Sequence, residues 1–233
     1  MNYSEAWPGG PKFLLSSAPL ITTDTMLLAD FVRPRHAALC GDIGTGSGAL
    51  ILLLAAKLPH TEFLGFELMP EAAQTARANL ELNGLAERSE IISGDAAETC
   101  RRFDGGSFDM LVSNPPYFTP GSTPSPNASR DAARRGLDLA ELCKIAAYLL
   151  KNGGAFSLVY RAERLAELFI GMSAGGIEPK RLRFFAKNAA SAPILALVEG
   201  RRGAKPGIIV GPTLLQKNYD GSETDDFRRV NRR

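Results

Sequence analysis

A glycine-rich loop, GDIGTGSGAL, follows the first buried apolar run of the chain. Gly44, Gly46 and Gly48 allow a tight turn and a close approach of the backbone to a ligand, and the helix start beyond them offers free N–H groups. This arrangement indicates a nucleotide-like ligand. Its spacing also fits the dinucleotide fingerprint, but Asp42 directly before the glycines would repel a pyrophosphate and attract a sulfonium or amino group. The loop therefore disfavours NAD.

Two further acids end the next two apolar runs. Glu67 closes "EFLGFEL", where a ribose-binding acid is expected, and Asp95 closes "SEIISGD". Asp95 could accept a hydrogen bond from an adenine amino group while the next N–H, that of Ala96, meets a ring nitrogen. Asp95 is equally suited to be the N-cap of the following helix.

The fourth apolar run, "FDMLVS", ends in Asn114, two prolines and Tyr117. Pro115 and Pro116 have no backbone N–H and restrict φ, so the chain must leave the sheet in a stiff turn. Asn114 and Tyr117 are therefore presented on a fixed backbone.

Short apolar runs alternate with helical stretches from about residue 37, as in right-handed βαβ units. We predict an α/β, doubly wound, Rossmann-like domain with a mostly parallel seven-stranded sheet. After residue 176 two runs with no full helix between them predict an antiparallel hairpin at the sheet edge. An N-terminal flap precedes a helix capped near Thr23 or Asp24. The Pro- and Ser-rich stretch after Tyr117 predicts a substrate loop.

Composition indicates an ordinary globular protein: 233 residues, 45% hydrophobic, with a net charge of +2. Without a secretory signal or a membrane-length apolar run, we expect a cytoplasmic location. Three widely spaced cysteines and two histidines indicate neither a disulfide framework nor a metal site.

The four motifs together, Asp42-x-Gly44-x-Gly46, Glu67, Asp95 and "NPPY", resemble a class I S-adenosylmethionine-dependent methyltransferase over most of the chain. Within that superfamily, "LITTDTMLLADF", "FELMPEAAQTARANLELN", "VSNPPYF" and "EGRRGAKPGIIVGPTLL" resemble the tRNA1(Val) (adenine 37-N6)-methyltransferase family.

The resemblance implies S-adenosylmethionine as cofactor and adenine N6 in tRNA as the most favoured acceptor. It assigns the following cofactor-binding residues: Asp24, Asp42, Gly44, Thr45, Gly46, Glu67, Leu68, Asp95, Ala96 and Asn114. The Asn114 side-chain oxygen and the Pro115 carbonyl would accept both N–H groups of the target amine, whose lone pair is delocalised. Tyr117 would stack on the planar substrate, and Phe118 would extend that surface. No metal is needed.

Basic residues gather after the middle of the chain. Arg130, Arg134 and Arg135 lie beside the expected base pocket, where they could meet RNA phosphates, and Lys180 and Arg183 alternate with aromatic residues. We assign residues 1–36 to the flap and capping helix of the same domain, 37–216 to the catalytic domain and 217–233 to a basic, flexible tail.

Three alternatives remain open. A protein glutamine methyltransferase acting on release factors uses the same four residues, although that family carries a helical N-terminal domain. An rRNA guanine or adenine N-methyltransferase is another candidate. A noncatalytic RNA-binding protein on this scaffold is disfavoured by intact Asp42, Glu67, Asp95 and Asn114. The oligomeric state is left undetermined.

Overall fold

Strands alternate with helices along the residues that the computed structural model describes, 3–14, 21–116 and 138–231. The strands are β1 (Tyr3–Glu5), β2 (Lys12–Leu14), β3 (Leu39–Ile43), β4 (Glu62–Glu67), β5 (Ser89–Ser93), β6 (Phe108–Ser113), β7 (Leu150–Arg161), β8 (Ile177–Ala186), β9 (Leu195–Arg202), β10 (Ile209–Val210) and β11 (Leu214–Leu215). The α-helices are α1 (Thr23–Phe31), α2 (Ala49–Ala55), α3 (Pro70–Leu82), α4 (Ala96–Thr99), α5 (Leu139–Leu149), α6 (Leu165–Ala174) and α7 (Asp225–Asn231). Short 3-10 helices cover Ala86–Arg88, Cys100–Arg102 and Ala162–Arg164.

The main sheet has the strand order β10-β8-β9-β7-β6-β3-β4-β5, with β11 also paired to β8. Strands β3 to β7 pair in parallel, while β9 is antiparallel to both β7 and β8. The predicted seven-stranded, doubly wound sheet with an antiparallel hairpin is confirmed. Two two-residue strands, β10 and β11, extend it beside β8. Such short pairings carry too little periodicity to be read from a sequence.

The sheet is covered on both faces, and the strand period of two divides the core between them. On β7, Leu158 packs in the cluster that contains Leu142 of α5 and Met172 of α6. The next residue, Val159, packs in the opposite cluster with Leu27 of α1. Burial on both faces explains why these strands are continuously apolar rather than alternating.

The N-cap of the first helix lies one residue before the two predicted candidates. Thr22 is the N-cap, and its side chain accepts a hydrogen bond from the Thr25 N–H at 3.3 Å. Thr23 and Asp24 are instead the first two helical residues. Three consecutive hydroxyl or carboxyl side chains can all cap a helix, so the local signal could not select among them.

The described part of the segment predicted as a flexible tail contains helix α7, so that prediction is wrong there. Phe227 and Val230 are buried in the core cluster, and the Phe227 ring stacks on Phe185 with 5.8 Å between ring centroids. Arg229 donates to Asp30 of α1 at 2.6 Å. The basic residues suggested a tail because the two apolar residues between them are too few for a recognisable helical period.

The described residues include all three cysteines. Cys40, Cys100 and Cys143 are buried free thiols. In the described ranges, no helix combines the length and apolarity that crossing a bilayer demands.

Candidate functional site

Four neighbouring strands end at one edge of the sheet and bring the sequence motifs together there. The strands are neighbours in the order β6-β3-β4-β5. Asn114 follows β6, Asp42 lies in β3, Glu67 ends β4 and Asp95 follows β5. Asp42 pairs in register with Val112 of β6. Because the strands are parallel, all four carboxyl ends face the same crevice, where open α/β sheets bind ligands.

The glycine loop curves over the end of β3 and is tied to β4. The N–H groups of Gly44 and Thr45 both donate to the Phe66 carbonyl, at 2.9 and 3.0 Å. Gly44 and Gly46 have φ values of 77° and 58°, a region that side-chain-bearing residues rarely adopt. A β-carbon at either position would have no neighbouring atom within 4 Å. The loop backbone therefore borders open space that a ligand could fill.

Asp42 is a buried carboxyl group beneath the loop. Its Oδ2 accepts a hydrogen bond from the Thr45 hydroxyl at 2.7 Å, and only 2% of the residue is exposed. Burial raises the pKa of Asp42 to about 7; the Thr45 hydrogen bond opposes this rise, and the charge of Glu67 adds to it. A cationic group placed beside Asp42 would favour the ionised form.

Glu67 joins the glycine loop to the start of α3. Its Oε2 accepts from the Gly46 N–H at 2.8 Å, and its Oε1 accepts from the Met69 N–H at 2.9 Å. These two bonds fix the carboxylate at the end of β4, and each oxygen retains further acceptor capacity. Asp95 caps α4, with its Oδ1 accepting from the Ala97 N–H at 2.8 Å. Asp95 therefore has the N-cap role that the sequence also allowed, and its Oδ2 takes no part in that bond.

Asn114 is held by hydroxyl groups of α1 that the sequence analysis did not single out. The Asn114 Nδ2 donates to Thr25 Oγ1 at 3.0 Å, and Thr25 Oγ1 lies 3.0 Å from Thr22 Oγ1. Behind the turn, the Ser113 hydroxyl donates to the Ile43 carbonyl at 2.7 Å. The three hydroxyl residues Thr22, Thr23 and Thr25 were the available signal.

A cavity of about 170 Å³ lies at the meeting point of these groups. Of the predicted cofactor residues, it is lined by Asp42, Gly44, Thr45, Gly46 and Asn114. It is lined also by Thr22, Thr25, Ser47, Ala49 and Leu50, which were not predicted.

The other predicted cofactor residues lie outside that lining. Asp24 is half-buried in the first turn of α1, one residue before Thr25, and Leu68 is 39% exposed. Ala96 begins α4. Pro115 is buried directly after Asn114. These positions are compatible with a ligand extending along the strand ends from β3 to β5.

Two predicted RNA-binding residues are not brought to this cavity. Both lie on β8, which is separated from β6 by β9 and β7. Lys180 donates to the Lys205 carbonyl at 3.0 Å, and Arg183 donates to the Pro212 carbonyl at 3.1 Å. Their cationic groups therefore hold the C-terminal segment onto the sheet.

The remaining predicted site residues lie outside the described part of the chain: Tyr117, Phe118, Arg130, Arg134 and Arg135. Within the described ranges, no group of three or more His, Cys, Asp or Glu residues could hold a metal ion.

The fold and the strand-end site define a Rossmann-like α/β domain with a ligand-binding crevice at the carboxyl ends of its parallel strands. The crystal structure of a predicted O-methyltransferase, protein Atu636 from Agrobacterium tumefaciens, superposes with a TM-score of 0.71, covering 90% of this chain and 95% of that chain at 22% identity. At this identity the likeness concerns the fold alone.

Sequence comparison gives the family. Residues 17–174 match the model of the methyltransferase small domain. A tRNA1(Val) (adenine(37)-N6)-methyltransferase of Tolumonas auensis is 32% identical over 189 residues, covering 79% of this chain and 78% of that relative. A protein of the same name from Porphyromonas gingivalis is 37% identical over 139 residues. The matched region covers 58% of this chain and 53%, about half, of the length of that relative. The chain belongs to the methyltransferase small domain family and to the family of these relatives.

Proposed function

We propose that this protein transfers a methyl group from S-adenosylmethionine to the exocyclic N6 of an adenine in tRNA. The observation that carries the proposal is the placement of the Asn114 amide beside buried Asp42 and the open glycine loop, with its nitrogen bound by Thr25. The names of the two relatives support tRNA adenine as the acceptor. Such a substrate implies a cytoplasmic protein.

The residues at the strand ends fit the proposed cofactor. Asp42 would bind the cationic amino-acid end, for which its buried carboxyl supplies the counter-charge. Glu67 would accept hydrogen bonds from the ribose hydroxyls, and Asp95 with the Ala96 N–H would bind the adenine ring. The positive-φ glycines allow the backbone to approach the ligand without side chains in the way. The bound cofactor would supply a methyl group on a positively charged sulfur.

Asn114 and Pro115 would prepare the accepting nitrogen. The lone pair of an adenine amino group is delocalised into the ring, which makes the nitrogen a poor nucleophile. Hydrogen bonds from its two N–H groups to the Asn114 Oδ1 and the Pro115 carbonyl favour the pyramidal nitrogen that attacks, and they stabilise the positive charge that develops there. The nitrogen–methyl bond would form as the sulfur–methyl bond breaks and leaves a neutral thioether. The methylated nitrogen would then lose one proton to water, so no strong base is required before the transfer.

Thr25 would set the direction of that acceptor. An amide can rotate by half a turn and exchange its oxygen and nitrogen. The Thr25 oxygen accepts from Asn114 Nδ2, while its own proton can be donated to Thr22. This chain of hydrogen bonds favours the rotamer in which Oδ1 faces the target amine. The predicted stacking by Tyr117 and Phe118 and the phosphate contacts by Arg130, Arg134 and Arg135 stay predictions.

The proposal is tested by incubating the protein with methyl-labelled S-adenosylmethionine and, separately, unmodified tRNA, ribosomal RNA and release factors. We expect N6-methyladenosine in digested tRNA, detected by mass spectrometry. Asn114→Ala should abolish transfer while leaving cofactor affinity within about twofold, since loss of one acceptor acts on the reacting nitrogen.

Asn218→Ala is the matched control, because Asn218 is an exposed turn residue bonded to Ser222 and far along the chain from the site. Label in release-factor glutamine or in ribosomal RNA, with none in tRNA, would refute the proposed substrate. Activity retained in Asn114→Ala would refute the proposed role of the amide.

A further inference from the structure

We propose that a second cavity, between the β1–β2 hairpin and α1, binds an unpaired nucleobase of the substrate RNA stacked against Trp7. This inference rests on the proposed function, because it assigns a further subsite for the same substrate. The cavity has a volume of about 590 Å³ and shares Thr22 with the smaller cavity that contains Asn114. The two cavities are therefore neighbours at the start of α1.

The cavity wall is fixed relative to the glycine loop by two asparagines, one within α3 and one at its C-cap. The Asn83 side chain accepts from the Lys12 N–H at 2.9 Å and donates to the Lys12 carbonyl at 2.7 Å. Asn79 is fully buried; it accepts from the Leu14 N–H and donates to the Ser47 carbonyl, both at 2.9 Å. Through these bonds, asparagine side chains satisfy backbone N–H and C=O groups of β2 that a neighbouring strand would otherwise bind. The hairpin is thus bonded to Asn79 and Asn83 and, through Asn79, to the glycine loop.

The indole of Trp7 is held in a defined position at the hairpin turn. The Gly10 N–H donates to the Trp7 carbonyl at 2.8 Å, and Gly9 has a φ of 72°. A β-carbon on Gly10 would lie 2.5 Å from Trp7 Cε2, so the ring lies directly against the Gly10 backbone. Trp7 is half-buried and packs on the core while also lining the cavity. A preformed aromatic surface of this kind binds a base at little entropic cost.

The lining matches a planar, neutral heterocycle. Apolar contacts come from Phe13, Ile21 and Met26, and hydrogen-bonding groups come from Ser4 and Asn231 as well as Thr22. Among the described residues that line the cavity, none carries a charge. A phosphate or a charged peptide would find no counter-ion among these described lining residues, whereas an unpaired base needs an aromatic face and a few donors or acceptors at its edge.

Trp7 is the chain's single tryptophan, so its fluorescence reports directly on this cavity. Titration with a short single-stranded oligoribonucleotide, without cofactor, should quench the emission with the same Kd that fluorescence anisotropy of labelled RNA gives. Trp7→Ala should weaken RNA binding about 5- to 100-fold, the range for losing one stacked base, and leave cofactor affinity unchanged. Trp7→Phe should recover part of the loss, and both variants are checked for an unchanged melting temperature.

Tyr219→Ala is the control, because Tyr219 is 96% exposed and lies outside both cavities. RNA affinity unchanged in Trp7→Ala, or RNA binding without quenching, overturns the subsite. If tRNA methylation persists alongside either result, the proposed function survives while the subsite does not. Quenching by RNA in a protein that methylates no RNA would support base binding and refute the proposed reaction instead.

Discussion

Replacing Asp42 by asparagine should stabilise the protein toward high pH and at the same time weaken cofactor binding. The wild-type carboxyl is buried, and the described side chains that act on it, Thr45 and Glu67, carry no positive charge. Burial raises its pKa from an ordinary value of 3.8 to about 7. Asparagine keeps a neutral polar side chain that can still accept the Thr45 hydroxyl bond. The substitution therefore removes the ionisation while keeping most of the shape.

The magnitude follows from proton linkage. Between pH 3.8 and about 7 the folded protein keeps the Asp42 proton and the unfolded chain does not, so the free energy of unfolding falls as pH rises. The stability that the neutral carboxyl contributes is fully present below pH 3.8 and is lost by about pH 7. The slope is about 1.4 kcal/mol per pH unit. From about pH 5 to about pH 8, the free energy of unfolding of the wild type should fall by about 3 kcal/mol, and that of Asp42→Asn should not show this fall.

Urea denaturation across this pH range measures the slope for both proteins. Calorimetric titration with S-adenosylmethionine in two buffers of different ionisation enthalpy measures the proton released when the bound cation ionises Asp42. We expect cofactor affinity in the wild type to fall below about pH 7 and to be at least about tenfold lower in Asp42→Asn at high pH, for loss of a buried counter-charge. Greater stability with weaker binding is a combination that a general folding defect would not produce.

Asp109→Asn is the matched control at the opposite end of the same sheet. Burial alone would raise the pKa of Asp109, but hydrogen bonds from Lys151, Leu39 and Ala38 hold it below its ordinary value. That carboxylate contributes stability above its unfolded pKa, which is lost as pH falls, so Asp109→Asn should destabilise the protein at neutral pH. Equal pH slopes for the wild type and Asp42→Asn would refute the reasoning about Asp42.

Two further substitutions test contacts that position the site and the C-terminal helix. Thr25→Val should lower kcat about tenfold, the equivalent of one hydrogen bond, because Asn114 loses the partner of its Nδ2. Cofactor affinity should not change. Thr25→Ser should restore kcat, and equal kcat for the valine and serine variants would contradict the orienting role. Phe227→Ala should reduce the free energy of unfolding by about 3–5 kcal/mol, because the ring is 3% exposed and stacked on Phe185. Denaturation measures this loss, and one no larger than that of Tyr219→Ala would show that α7 is not packed as described.

The alternation of strands and helices and the set of residues at the strand ends could be predicted from the amino-acid sequence alone. In a parallel sheet every carboxyl end lies on one edge, so a residue that closes a buried apolar run is assigned to the site without knowledge of its neighbours. Asp42, Glu67, Asp95 and Asn114 were all located in this way. Glycines with positive φ and prolines that end a strand are likewise local signals.

Which of these groups lie in contact depends on the packing of the folded chain. The pairing of β6 with β3 brings Asn114 beside Asp42, and the packing of α1 brings Thr25 to the Asn114 amide. Burial, and with it the raised pKa of Asp42, depends on every element around the carboxyl. The same holds for the Trp7 cavity and for Phe227 in α7. Sequence periodicity reports the face a residue turns inward, whereas the partner on that face is set by contacts between segments far apart in the chain.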